Sequence, residues 1–324
     1  MSRNRFNLNL ISRYRTELMG LATIGIIVCH TKANGVSMPG WLWSIFQFGS
    51  VGTAIFLFLS GMGIWYSLRN VKYDGKGIVA WYKKRFIKLF VPFLILSVPY
   101  FAYVSISERY GFWFFISMIS TVGYWFNGEG LWFVSVIVIL YLISPWWALL
   151  IRKTGLNLVL SVFAFLLILA CSQWIDHVNR ICFFFLGFGF APYIEKGTTI
   201  RWFPLLACMA LLYLICSIVP WLDFFPKYII YIPFFVILPC IFFGIHRMEK
   251  LNTVWRFMGK ISLESYLSNV FLPAFFIRAA WIKGYPLLSK GNWIGYLLVI
   301  VVGITLAWLV HLLSNKILSK ILKK

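Results

Sequence analysis

Acidic side chains are scarce in this chain. Nine Asp and Glu face 30 Lys and Arg across 324 residues, a net charge of +21. Charge of either sign is thin, at 12% of residues, against about 25% in an ordinary soluble domain. That excludes a water-soluble globule of this size. Paired cysteines are also missing. The six cysteines form no C-x-x-C pair, and only Cys29 sits beside a histidine, His30. A disulfide framework and a zinc centre are therefore not expected, and the thiols read as small apolar packing groups. There is no internal repeat and no low-complexity tract. No nucleic-acid-binding motif accompanies the positive charge, so it reads as topology and contact with anionic lipid, not as an RNA or DNA surface. The first apolar run lacks a small-x-small cleavage site, so it reads as a retained helix.

What the chain has in abundance is apolar sequence, 61% of residues. Several runs approach the roughly 20 residues that cross a bilayer as a helix. The expected fold is an all-α integral membrane protein, one domain over 1–324, with about ten transmembrane helices. The expected spans are 17–35, 44–68, 89–107, 131–151, 156–174, 180–195, 202–220, 227–246, 261–281 and 293–314. Residues 112–126 are apolar, aromatic and short, which suits a re-entrant or interfacial piece. Placing both termini in the cytoplasm puts all but seven basic residues on the inner side. The exceptions are Lys32, Arg109, Arg180, Lys227, Arg278, Lys283 and Lys290. This asymmetry is the positive-inside pattern. It makes 1–16 a basic cytoplasmic N-terminus and 315–324 a basic tail. Residues 79–90, VAWYKKRFIKLF, alternate aromatic and basic side chains, as a helix at the inner interface does. The same residues would also serve as a phosphate-binding patch for a nucleotide-bearing donor.

Chemistry is expected where ionisable groups enter the apolar runs. His30 closes the first span, roughly 20 Å along the helix from Glu17, and lies toward its outer end. Met19, about three turns earlier, shares its face, with Arg15 one turn below. An imidazole near neutrality can take a proton from a hydroxyl and return it to a leaving group. A structural histidine bonding a backbone carbonyl is the competing reading. Glu129, at the outer end of the fourth span, is either its orienting carboxylate or an ordinary loop acid. Asp176, His177 and Arg180 are further outer-side polar residues, read as a solvated loop or as contacts to a polar acceptor. In Phe48–Gly61, Gly49 and Gly52 permit close backbone approach. Ser60 would be a nucleophile only beside a base.

Together these pieces resemble the membrane acyltransferase family 3 proteins, which include glycan O-acetyltransferases of bacterial envelopes. That family has a basic residue eleven positions before a catalytic histidine in its opening helix. His30 matches the histidine, Gly20-Leu-Ala22 fits the context, and Met19 stands in the basic position. Further matches are Phe56 to Gly61 for Phe-x-Leu-Ser-Gly, and Lys84, Arg85, Lys88 and Pro92 for a basic run before a proline. Leu131 to Phe133 match Leu-Trp-Phe opening a span. Gly259, Lys260, Ser262, Tyr266 and Leu267 match a late motif in which Asn269 replaces a second histidine.

The resemblance implies transfer of an acyl group, most simply acetyl, from cytoplasmic acyl-CoA (acetyl-CoA) to a hydroxyl of an envelope glycan or lipid-linked saccharide. It implies His30 as the catalytic histidine; in the mechanism read from these residues His30 is general base with Glu129 as orienter, and Arg15, Arg85 and Lys88 hold the donor phosphates. Ser60, Trp132, Tyr266 and Asn269 would line the substrate path. No metal is implied, and the location would be a bacterial inner or plasma membrane. No soluble segment follows the tenth span, so the membrane domain is expected to hold the acceptor itself. The rival reading is a transporter or flippase of glycans or small acylated compounds. Such proteins tend to show repeats or paired broken helices, which the sequence lacks.

Overall fold

A computed structural model describes residues 5–33, 36–128, 130–171, 178–218, 226–278 and 293–322. A short strand β1 (Arg5–Asn7) leads into helices α1 (Asn9–Arg13), α2 (Arg15–Ala33), α3 (Gly40–Phe46) and α4 (Val51–Leu68), with a 3-10 turn over Gln47–Ser50. Then come α5 (Gly75–Ser107), α6 (Phe112–Ile119), α7 (Gly123–Asn127), α8 (Trp132–Thr154) and α9 (Asn157–Cys171). A second 3-10 turn (Val178–Ile181) precedes α10 (Cys182–Glu195), strand β2 (Thr199–Arg201) and α11 (Trp202–Ile218). The described chain closes with α12 (Pro226–Ile229), α13 (Phe234–Gly244), α14 (Glu249–Lys260), α15 (Ser262–Arg278) and α16 (Trp293–Leu322). The fold is all-α and membrane-type. Among the described residues four helical stretches are long and apolar enough to cross a bilayer: Gly40–Leu68, Gly75–Ser107, Trp132–Thr154 and Trp293–Leu322. Asn157–Cys171, Phe203–Ile215 and Phe234–Gly244 are shorter apolar helices.

The element edges depart from expectation in three informative places. The basic stretch 79–90 and the apolar stretch after it are one helix, α5, with Pro92 and Pro99 inside it. Its 33 residues extend about 50 Å, well beyond the ~30 Å of a hydrocarbon core, so a basic end projects past the lipid. Asp74 caps it, accepting the Gly77 N–H at 2.6 Å. The expected span 227–246 is broken. Residues 230–233 form turns, and α13 begins only after Pro233, leaving eleven residues. Pro233 has no N–H to continue a helix from α12. Residues 112–126 form two short helices.

The chain falls into two compact units. Unit 1 contains residues 1–22, 50–70 and 147–260. Its centre is the crossing of α4 and α10, where Phe183, Phe184 and Phe188 are buried. A Cβ on Gly61 would lie 2.0 Å from the Phe184 carbonyl oxygen, and one on Gly187 1.9 Å from that of Phe58. The two glycines let the backbones touch. Arg152 donates from Nη2 to the Leu68 and Arg69 carbonyls at 2.8 and 2.6 Å, satisfying the carbonyl end of α4 with a cation where the helix dipole favours one. The amphipathic α14 seats on the first half of α2 through Gly20 against Trp255 and Gly259 against Thr16. Arg256 there pairs with the buried Glu17 at 3.1 Å. Strands β1 and β2 pair antiparallel, Arg5 opposite Arg201.

Unit 2 contains residues 23–49, 71–146 and 261–324. In it α5, α15 and α16 pack together. The Tyr100 and Phe271 rings stack at 4.5 Å, and Tyr103 meets Phe275 at 4.9 Å. Ser268 donates to the Gly303 carbonyl at 2.7 Å, joining α15 to α16. Tyr82 donates to the Leu142 carbonyl at 2.6 Å, joining α5 to α8. The second half of α2 meets the 3-10 turn before α4 at Gly25 and Gly49. A Cβ on Gly49 would stand 2.0 Å from the Gly25 carbonyl oxygen.

Candidate active site

Unit 2 holds most of the residues singled out from the sequence. On α2 the long side chains lean back toward the preceding turn, so His30 Nδ1 reaches the Ile26 carbonyl oxygen at 2.8 Å. A carbonyl only accepts, so Nδ1 carries the hydrogen. In the neutral ring the basic lone pair is then on Nε2. The backbone contact anticipated as the competing reading is present, and it also defines which nitrogen can act as a base. One turn earlier, Tyr296 of α16 donates to the Ile27 carbonyl at 3.2 Å, fixing this part of α2 on α16.

Arg85 and Lys88 lie on the basic half of α5. The Arg85 guanidinium is 5.9 Å from the Trp81 ring, a cation–π arrangement. Lys88 is exposed. On α8 Trp132 adjoins Phe133, whose ring meets Tyr266 edge-on at 5.3 Å. One turn along α15, Asn269 donates to the Ser265 carbonyl at 2.8 Å. Its Oδ1 is buried with no hydrogen-bond partner among the described residues. Following the contacts Tyr100–Phe271, Ser268–Gly303 and Tyr296–Ile27 at 1.5 Å per residue puts His30 about 30 Å from Arg85 along the helix axes. Tyr266 and Asn269 lie between. Unit 2 therefore carries a basic end, a polar-aromatic middle and an imidazole toward the other end.

The other expected residues lie in unit 1 or outside the described residues. Arg15 and Ser60 belong to unit 1. There the Arg15 guanidinium lies against Gly63, Nη2 being 2.8 Å from where a Cβ would sit. Glu129, Asp176 and His177 fall outside the described residues.

A partly buried ionisable cluster in unit 2 was missed. Glu264, 6% exposed, accepts from His311 Nδ1 at 3.0 Å. Asn315 Nδ2 lies 2.9 Å from His311 Nε2. With Nδ1–H given to the carboxylate, Nε2 accepts the amide hydrogen. Rotating the Asn315 amide would present its oxygen to a protonated ring, so the cluster is satisfiable in both protonation states. The rule that selected His30, an ionisable group within an apolar helix, selects Glu264 and His311 equally. Removing the carboxylate takes the partner from a partly buried N–H, at a cost of about 1 kcal/mol. Glu264→Ala is therefore expected to lower the melting temperature of the detergent-solubilised protein. His311→Ala added to it should then cost little more, because the two act as a pair. Fully additive losses in that double-mutant cycle would contradict the pairing.

Among the described residues no group of three or more His, Cys, Asp or Glu converges in a way that could hold a metal ion. A family model described as "Acyltransferase domain" matches residues 18–312, from within α2 to within α16. No curated protein and no solved structure matches the chain. The matched span includes every candidate residue of unit 2 and nearly the whole sequence; the chain belongs to the acyltransferase family 3 membrane proteins.

Proposed function

We propose that this membrane acyltransferase moves an acyl group, acetyl in the simplest case, from a coenzyme A thioester to a hydroxyl of an envelope or exported glycan, or of its lipid-linked precursor. The observation that carries the reading is the Nδ1–H bond from His30 to Ile26, which leaves the neutral ring basic at Nε2. In the proposed step Nε2 takes the acceptor hydroxyl proton as the oxygen attacks the thioester carbonyl carbon. The carbon–sulfur bond breaks, and the imidazolium returns its proton to sulfur. The products are the ester and the coenzyme A thiol, with no net proton uptake. Glu129 is proposed to stabilise the imidazolium. Arg85 and Lys88 bind donor phosphates by charge-assisted hydrogen bonds, and Trp132, Tyr266 and Asn269 line the donor's way toward His30.

The proposed topology has about ten spans, both termini cytoplasmic, and the multi-pass protein in a bacterial inner or plasma membrane. The β1–β2 pairing supports it, since Arg5 and Arg201 are both assigned to the inner side. The donor would then enter at the inner face, where the basic end of α5 projects.

Radiolabelled acetyl-CoA and the host's purified glycan, supplied to the reconstituted protein, should yield an ester-labelled glycan. Arg85→Gln with Lys88→Gln should raise the donor KM about tenfold or more with kcat nearly kept, because a phosphate contact remote from the reacting carbon contributes equally to ground and transition state. Movement of unmodified glycan without label incorporation would favour the transporter class instead.

A further inference from the structure

At one end of unit 1 three segments bring polar atoms together. Arg180, in the turn before α10, donates from Nη1 to Thr53 Oγ1 at 3.3 Å. Ser50, three residues before Thr53 at the start of α4, places Oγ 3.1 Å from the Tyr231 hydroxyl. The Tyr231 ring lies 6.1 Å from the ring of Phe183, which follows Arg180 by three residues. These contacts close a circuit through Arg180, Thr53, Ser50, Tyr231 and Phe183. Phe183 is buried on Phe165 and Phe235 and forms an apolar floor. Thr53 is also buried, while Arg180, Ser50 and Tyr231 are partly exposed.

The charge on Arg180 meets no acid among the described residues. Its recorded bond goes to a neutral hydroxyl, and no carboxylate among the described residues pairs with it. Elsewhere in this unit the fold does supply such acids: Arg69 pairs with Glu195, and Arg256 with Glu17. A guanidinium offers five N–H donors in a planar fork suited to carboxylate or phosphate. In an apolar protein, a cation bonded only to a neutral group marks a place where an anion is favoured. Around it stand three hydroxyls and an aromatic ring, which offer both donors and acceptors to a polyhydroxylated partner.

We infer that this cluster binds an anionic saccharide, a sugar ring bearing a phosphate or carboxylate. Arg180 takes the charged group, and Ser50 and Tyr231 take ring hydroxyls. The inference rests on the acyl-transfer reading and specifies its acceptor. In the topology given above, the starts of α4, α10 and α12 all lie on the outer side, where an envelope glycan is met.

The test is equilibrium binding to the full-length protein in nanodiscs of purely zwitterionic lipid, so that no headgroup supplies the anion. The probes are glucose-6-phosphate, glucuronate and uncharged glucose. At least one charged probe should bind about tenfold or more tightly than glucose, the size of one charge-assisted contact. Arg180→Gln should erase that preference, and Arg180→Lys should keep part of it. Ser50→Ala and Tyr231→Phe should weaken all three sugars and preserve the preference, which keeps the test available if Arg180→Gln misfolds. Equal binding of charged and neutral probes, or a preference surviving in folded Arg180→Gln, overturns the inference. Binding needs no acyl donor, so a negative result here leaves acyl transfer standing, and inactive protein that still shows the preference leaves this site standing.

Discussion

His30→Ala is expected to leave the protein folded and to lower the acyl-transfer kcat by about 10²–10⁴-fold, the range for loss of a general base. The Nδ1 bond of His30 is made within its own helix, to a carbonyl four residues back. That carbonyl still accepts a backbone N–H when the ring is gone, so the melting temperature should move little. His30→Gln separates the two roles of the ring. It retains an N–H for Ile26 and cannot carry a proton between hydroxyl and sulfur. It should therefore be as inactive as alanine. Steady-state rates for both variants, beside melting curves, check this. A Gln variant with near wild-type kcat would assign His30 to helix structure alone.

The second large effect concerns folding. Gly187→Leu, and to a lesser degree Gly187→Ala, is expected to destabilise unit 1 strongly. Even the alanine Cβ would stand 1.9 Å from the Phe58 carbonyl oxygen, and a backbone atom cannot rotate away. The helices α4 and α10 must then separate by more than an ångström. Phe58, Phe184 and Phe188 would lose close contact in a core that has no slack. Overpacking of this kind costs about 1–3 kcal/mol per site, with Leu above Ala. Gly61→Ala meets the Phe184 carbonyl oxygen at 2.0 Å and should behave alike. Gly40→Ala and Gly244→Ala, with nothing within 4 Å of the added carbon, are the controls and should melt as wild type. Equal melting of all four alanine variants would mean that the α4–α10 contact is not tight.

Much of this architecture was legible because lipid enforces a simple code. A bilayer forbids unsatisfied backbone, so apolar runs must be helices. The expected edges of the first and fourth spans, 17–35 and 131–151, lie close to α2 and α8. The family was legible too, through spaced motifs over most of the chain, and the family model confirms it. Length and interruption were harder. Periodicity alone cannot show that the basic stretch before Pro92 and the apolar stretch after it are one helix. Neither does an apolar run announce the break at Pro233. The three-residue strands β1 and β2 are too short for any alternation to be read. Glu264 and His311 were overlooked for a different reason. They are 47 residues apart, and only the packing of α15 on α16 brings the two together. The cluster at Arg180 has the same origin, being assembled from three distant segments.

The most direct measurement is acyl transfer resolved by side. The protein is reconstituted in vesicles of one orientation, with labelled acetyl-CoA and a membrane-impermeant glycan acceptor placed on the same or opposite faces. The account predicts labelled ester when the donor meets the face bearing Arg85 and Lys88 and the acceptor meets the other, and none with His30→Gln. Transfer only when both substrates share one face, or transfer undiminished by that substitution, would contradict it.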